Sequence, residues 1–162
     1  MRIQSAPELL INAWRRFVGF LRSYIAPDMS LDRFIQAQET SYCMALAELK
    51  SGRKSGHWIW WVFPQLKGLG TSHNSTFYGL DDEAEARAYF RHPVLGARYR
   101  ECVSVVHEQL CLRKVEPQVL MGSDVDVLKL HSSLQLFLKV ACDDDAKLQV
   151  QARDILLALR KG

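Results

Sequence analysis

Leu31-Asp32-Arg33-Phe34-Ile35-Gln36-Ala37-Gln38-Glu39-Thr40-Ser41-Tyr42-Cys43-Met44-Ala45-Leu46-Ala47-Glu48-Leu49-Lys50 runs without a glycine or proline. At about 100° per residue, Leu31, Phe34, Ile35, Tyr42, Ala45, Leu46 and Leu49 fall on one stripe, the pattern of a helix with one apolar face. Gly52 just beyond it is a natural helix end, because glycine tolerates positive φ. Gln38 falls in the middle of the apolar stripe and Glu39 on its flank. A buried amide left unpaired costs about 1–3 kcal/mol, so Gln38 needs partners.

The same periodicity recurs outward from this segment. Residues 8–25 place Leu10, Trp14, Phe17, Val18, Leu21, Tyr24 and Ile25 on one stripe, ended by Ala26-Pro27-Asp28, and Asp28 or Ser30 can cap the helix that follows. Residues 52–80 are punctuated by Gly and Pro. Asp82-Glu83-Ala84-Glu85 resembles a capping box and opens a helix that His92-Pro93 closes. Pro93 suits the first turn of a helix running to about 112. A short turn near 116–120 leads through Gly122-Ser123 into a helix over about 124–141. The acidic run Asp143-Asp144-Asp145 then starts a last helix with Leu148, Ala152, Ile155, Leu156 and Leu159 inward. The expectation is an all-α, compact multihelical single domain with about six to seven helices in the chain, its helical domain over residues 31–162. An N-terminal amphipathic helical extension over 1–30 precedes it.

The 162 residues suit one domain with a real core, and 48% hydrophobic with 24% charged residues is a globular composition. The net charge of +3 comes from scattered Lys and Arg rather than a basic run, which argues against nucleic acid as a partner. No apolar run is long enough to cross a bilayer. Cys43, Cys102, Cys111 and Cys142 form no CxxC pair, and reduced thiols in a cytoplasmic setting fit them. His107 and Cys111 share a helix face, but Cys102 lies roughly 140° away, so no metal site is expected, only buried thiols beside a surface histidine. No cofactor is expected either. The first thirty residues carry four arginines against two acids. That stripe fits docking on the parent domain or on a twin subunit, which leaves a homo-oligomer possible; targeting and membrane contact are the alternatives.

Chemistry concentrates in His57-Trp58-Ile59-Trp60-Trp61-Val62-Phe63-Pro64-Gln65-Leu66-Lys67-Gly68-Leu69-Gly70. Three of the four tryptophans lie within four residues here. Aromatic rings belong in a core, but three indoles so close cannot share one interior direction, so one of them is expected to line a cleft. Gly68-Leu69-Gly70 lacks the GK[ST] ending of a phosphate loop. In the helix near 124–141, Val127, Leu130, Leu134, Phe137 and Ala141 make one stripe. Lys129, Ser132 and Ser133 share a second face with Leu136 and Val140. Lys129 and Ser133 therefore point partly inward. Two readings stand: structural ties, with Gln38 joining helices and Lys129 pairing an acid such as Glu39, or contact with a ligand.

These residues resemble a known family. Leu31-x-Arg33-Phe34-x-x-Ala37-Gln38-Glu39-x-x-Tyr42, then His57-Trp58-x-Trp60-Trp61-x-Phe63-Pro64-Gln65-Leu66-x-Gly68-Leu69-Gly70-x-Ser72, are similar to the domain of unknown function 1810 family. So are Ala88-Tyr89-Phe90-x-His92-Pro93-Val94-Leu95-Gly96-x-Arg98 and Lys129-Leu130-x-Ser132-Ser133-x-x-Leu136-Phe137. The resemblance covers about 31 to 141 and implies a compact multihelical fold in bacterial-type cytosolic proteins, with no assigned activity. The label calpastatin carried by some members has no support in these residues. Departures are the extension over 1–30, Gln135 where a threonine is usual, and a shorter, more polar C-terminal end. A fainter likeness to proteins of NAD and ADP-ribose metabolism rests on Phe34-x-x-Ala37-Gln38 and Phe90-x-His92-Pro93-x-Leu95.

The functional expectation is a binding or catalytic site for a small polar or anionic ligand, such as a nucleotide or ribose derivative. Its ligand-binding residues would be Gln38, Trp58, Trp60, Trp61, Gln65, Lys129, Ser132 and Ser133, with His57 and Glu39 as catalytic acid or base. Gln38, a tryptophan and Lys129 or Ser133 would line one cavity with His57 at its rim. The alternative is a non-catalytic module that binds protein through the tryptophan segment and the N-terminal helix.

Overall fold

A computed structural model describes residues 31–141 and 145–160. The amphipathic helix expected over residues 8–25, the Cys142 thiol, and Asp143 and Asp144 of the acidic run lie outside the described residues. Eight α-helices are present among the described residues: α1 Asp32–Lys50, α2 Ile59–Val62, α3 His73–Phe77, α4 Glu83–Arg91, α5 Pro93–His107, α6 Pro117–Met121, α7 Asp124–Val140 and α8 Ala146–Leu159. A π-helical turn, Glu108–Leu112, continues α5. The fold is all-α, and the one β feature among the described residues is an isolated bridge between Leu66 and Leu80. The eight include more short helices than the sequence leads one to expect. The surplus comes from the one-turn helices α2 and α3, which are too short to show a period in the sequence.

Helix boundaries follow local chemistry. Asp82 caps α4 by accepting from the Glu85 N–H at 2.8 Å. The Glu85 carboxylate reaches back one residue further than a standard capping box, to the Asp81 N–H at 2.7 Å. Arg33 of α1 pairs with that same Glu85 at 2.8 Å, so the cap also ties α4 to α1. His92 closes α4 and caps α5 through Nδ1, which accepts from Val94 and Leu95, and Pro93 takes the first position of α5. Ser123 caps α7 and Asp145 caps α8. The helix expected from Pro93 to about 112 is α-helical only to His107, because the backbone widens into the π turn there.

Helix α5 lies at the centre, packed against α1, α4 and α8, while α7 packs on α4, α6 and α8. Between them sits an aromatic core: Tyr99 lies 4.2 Å from Phe137 by ring centroids, and Phe34 meets Tyr89 edge-on at 5.1 Å. Edge-on and tilted pairs of this kind add to the burial gain of each ring. Burial pushes the Tyr89 and Tyr99 hydroxyls well above their ordinary values, so both stay protonated donors. In α8 Leu148, Ala152 and Ile155 are buried as expected, while Leu156 and Leu159 are half-buried.

Cys43, Cys102 and Cys111 are free thiols. Cys102 is buried, and burial first, the nearby Glu101 charge second, push its thiol up to about 12. Cys43 is exposed, and His107 is half-buried and bonded to Asp154 at 3.1 Å instead of lying at the surface. Among the described residues no three His, Cys, Asp or Glu side chains are placed to hold a metal ion, and no helix is long and apolar enough to cross a membrane.

Candidate functional site

The segment from Lys54 to Trp60 forms one wall of a cleft of about 350 Å³, and the end of α6 with the start of α7 forms the other. Glu48, near the end of α1, holds the first wall in place. Its carboxylate accepts from the Ser55 N–H at 2.8 Å, the Ser55 hydroxyl at 2.9 Å, the Gly56 N–H at 2.9 Å and the Trp58 indole N–H at 2.7 Å. Burial pushes this carboxyl up, but the donors outweigh it and bring it down from 4.5 to about 2. Gly56 is required for the close approach: a Cβ there would lie 2.9 Å from the Trp58 ring and 3.1 Å from the Glu48 carboxylate. The Lys54 N–H donates to the Leu120 carbonyl at 2.8 Å, which fastens the loop to α6. Gly122, at φ 78°, ends α6 against Lys54, and a Cβ on it would lie 3.0 Å from the Lys54 carbonyl oxygen.

Two ammonium groups converge on one carboxylate inside the cleft. Lys54 Nζ lies 2.5 Å from Asp126 Oδ2, and Lys129 Nζ lies 2.8 Å from Asp126 Oδ1. The three side chains are only 7%, 17% and 12% exposed for Lys54, Lys129 and Asp126, so charge interactions here are less screened than at the surface. Burial pushes the Asp126 carboxyl up, and the hydrogen bonds from Lys129 and Lys54 outweigh it, so the group stays below its ordinary value and ionised. The cluster carries a net charge of +1. Lys129 also sits over the Trp60 ring, 4.3 Å from its centroid, and Lys54 over the Trp58 ring at 5.2 Å. Trp60 is half-buried and lines the cleft; among the described residues its buried indole N–H has no hydrogen-bond partner. His57 is exposed at the rim, and the Ser55 and Ser123 side chains border the opening.

Of the residues singled out in the sequence, His57, Trp60 and Lys129 thus meet in one cleft. Gln65 supports it from behind, donating to the Lys129 carbonyl at 3.1 Å. The others lie elsewhere. Gln38 is 1% exposed and its amide is fully engaged: Nε2 donates to the Trp61 carbonyl at 2.7 Å and to the Tyr89 hydroxyl at 2.9 Å, and Oε1 accepts from Arg98 at 3.4 Å. The cavity expected to join Gln38 to Lys129 is therefore not formed; Gln38 ties α1 to α2, α4 and α5. Trp61 donates to the Ser41 hydroxyl at 2.8 Å and packs on Tyr78. Trp58 is fully buried in the core. Ser133 is fully buried, 3.3 Å from the Tyr99 hydroxyl, and Ser132 donates to the Leu128 carbonyl of its own helix at 2.9 Å. Glu39 is exposed on α1, and the acid that meets Lys129 is Asp126 instead. Sequence reasoning missed Lys54, Asp126 and Glu48, which read as surface charges until the loop and α7 are brought together.

A second cleft, of about 390 Å³, lies between the π turn and α8 and includes Leu110, Cys111, Val115, Pro117 and Leu157. Burial raises the Cys111 thiol and Asp154 raises it further, so it stays protonated. This cleft gathers no buried cation cluster, and the smaller one has the stronger chemistry.

A family model described as "Protein of unknown function (DUF1810)" matches residues 28–154. The match leaves out nearly all of the extension and continues past Ala141, where the resemblance in the sequence stops. The chain is also similar to the crystal structure of the conserved hypothetical protein Rv1873 from Mycobacterium tuberculosis. The two share 38% sequence identity at a TM-score of 0.64, over 81% of this chain and 85% of that one. No match was found among curated proteins.

Proposed function

We propose, for a chain that belongs to the DUF1810 family of proteins of unknown function, that the cleft between Lys54–Trp60 and the start of α7 binds a small anionic ligand. The observation that supports this reading is the pair of nearly buried ammonium groups sharing the single Asp126 carboxylate beside Trp60. Burying charge is costly, and two cations with one anion leave a positive remainder that an anion would neutralise. Each ammonium has three N–H donors and spends one on Asp126, so donors remain for a ligand. The volume of the cleft lies within the usual range for small-molecule sites.

A nucleotide or ribose derivative fits this chemistry, with its anionic group on the lysines and its hydroxyls toward Ser55 and Ser123. Of the two acid–base candidates, His57 borders the cleft and Glu39 does not, so any catalysis would fall to His57. A reducing, cytosolic setting is part of the same proposal, on the strength of the three free thiols. The protein-binding alternative is the weaker one, because Trp58 is buried and Trp60 and Trp61 are half-buried, leaving no flat aromatic patch from that segment.

A thermal-shift screen with nucleotides, ribose phosphates and small carboxylates tests the proposal. A ligand at 100 times its dissociation constant stabilises by about 2.7 kcal/mol, a shift of several degrees. The expected result is a hit that disappears in Lys129→Met. Hits that survive this substitution unchanged would place binding elsewhere and refute the site.

A further inference from the structure

We infer that the cleft selects singly charged anions, and that Asp126 is the residue that sets this preference; the inference rests on the anion-binding reading above. The charged side chains lining the cleft are Lys54, Lys129 and Asp126, with His57 at the rim. Asp126 is not a bystander on the wall. Its two oxygens are taken by different lysines, at 2.5 Å and 2.8 Å, so any anion that uses the remaining ammonium donors must sit close to an ionised carboxylate. One negative charge on the ligand brings the cluster to neutrality. A second is placed beside Asp126 with no cation left to balance it, in a site where the partners are 7% to 17% exposed and screening is weak. Rejection by an uncompensated like charge is a common route to specificity. The class of ligand selected is a phosphodiester or a monocarboxylate, and phosphomonoester dianions are disfavoured. Asp126 is held in place from both sides: Ser123 accepts from its N–H at 3.2 Å at the cap of α7, and both lysines grip its carboxylate. Turning its carboxylate away to admit a dianion would break both lysine contacts.

Cyclic 3′,5′-AMP and AMP form a matched pair for the test. They share base and sugar, but at pH 8 the diester carries one charge and the monoester two, since a phosphate's second proton leaves near pH 6. Calorimetric titration of the full chain at low salt is expected to give affinity at least about tenfold tighter for the cyclic nucleotide. Asp126→Asn, which raises the cluster charge to +2, is expected to reverse the order. If that variant fails to fold, the double variant Lys54→Met with Asp126→Asn, which removes the carboxylate and keeps the charge at +1, is expected to lose most of the preference for the diester. AMP binding as tightly as the cyclic nucleotide to the wild type would overturn the charge selection and leave the anion site standing. Binding of neither nucleotide to the wild type or the variants, or binding untouched by Lys129→Met, would overturn the anion-site reading itself.

Discussion

Glu48 accepts from four donors, two of them backbone N–H groups of the cleft wall. Hydrogen bonds to a charged group contribute about 1.5–3 kcal/mol, so Glu48→Gln should cost that much in urea unfolding. The pH dependence has a fixed sign. The folded-state carboxyl sits near 2 and the free one at 4.5. The stabilisation is therefore full above 4.5 and is lost as pH falls from 4.5 towards 2. The variant should show a flatter stability profile across that window; an unchanged acid limb would mean that Glu48 does not hold the loop. Gln38 makes a contrasting case. Gln38→Leu should cost about 1–3 kcal/mol by removing the acceptor of Arg98 and leaving the Trp61 carbonyl to the Tyr89 hydroxyl alone, while ligand affinity at the cleft stays within twofold. A large affinity loss with little destabilisation would return Gln38 to the binding site.

At the scale of elements, Lys54 reaches Asp126 because Gly122 lets α6 end tightly against the loop. A non-glycine residue in the left-handed region costs about 1–2 kcal/mol, and here the added Cβ also presses on the Lys54 carbonyl. Gly122→Ala should lower the melting temperature and weaken anion binding together, whereas Gly68→Ala, with a positive φ but nothing near its Cβ, should lower stability without affecting binding. The long helices were legible in the sequence, since α1, α4, α5, α7 and α8 each show an apolar stripe or a capping residue at the boundary. The π turn was not, because one widened turn barely disturbs a period of 3.6. Half of the site was legible for the same reason: Lys129 interrupts an apolar face, and Trp60 belongs to a segment with more indole than one core direction can hold. Lys54 and Asp126 carry no such local signal. Lys54 lies in a glycine-rich loop and Asp126 in the first turn of a helix, where charges are ordinarily solvated, and only their meeting in space buries them. Gln38 misled for the opposite reason, as its place on the apolar stripe was read correctly but its needs are met by Trp61, Tyr89 and Arg98.

At the scale of the whole molecule, the tryptophan segment divides between two tasks: Trp58 and Trp61 hold the helices together, and Trp60 lines the proposed anion site. The four indole N–H groups of the chain give separate signals in a nitrogen–proton correlation spectrum, each assignable by a Trp→Phe variant. Titration of the full chain with cyclic AMP reads all of them in one experiment. If the anion sits in the cleft, the Trp60 signal moves in a saturable way, Trp58 and Trp61 stay nearly fixed, and Lys129→Met abolishes the movement. Saturable movement of the Trp61 signal with Trp60 unmoved would contradict that site, placing the ligand beside Gln38 and leaving the lysine pair as a purely structural ion cluster.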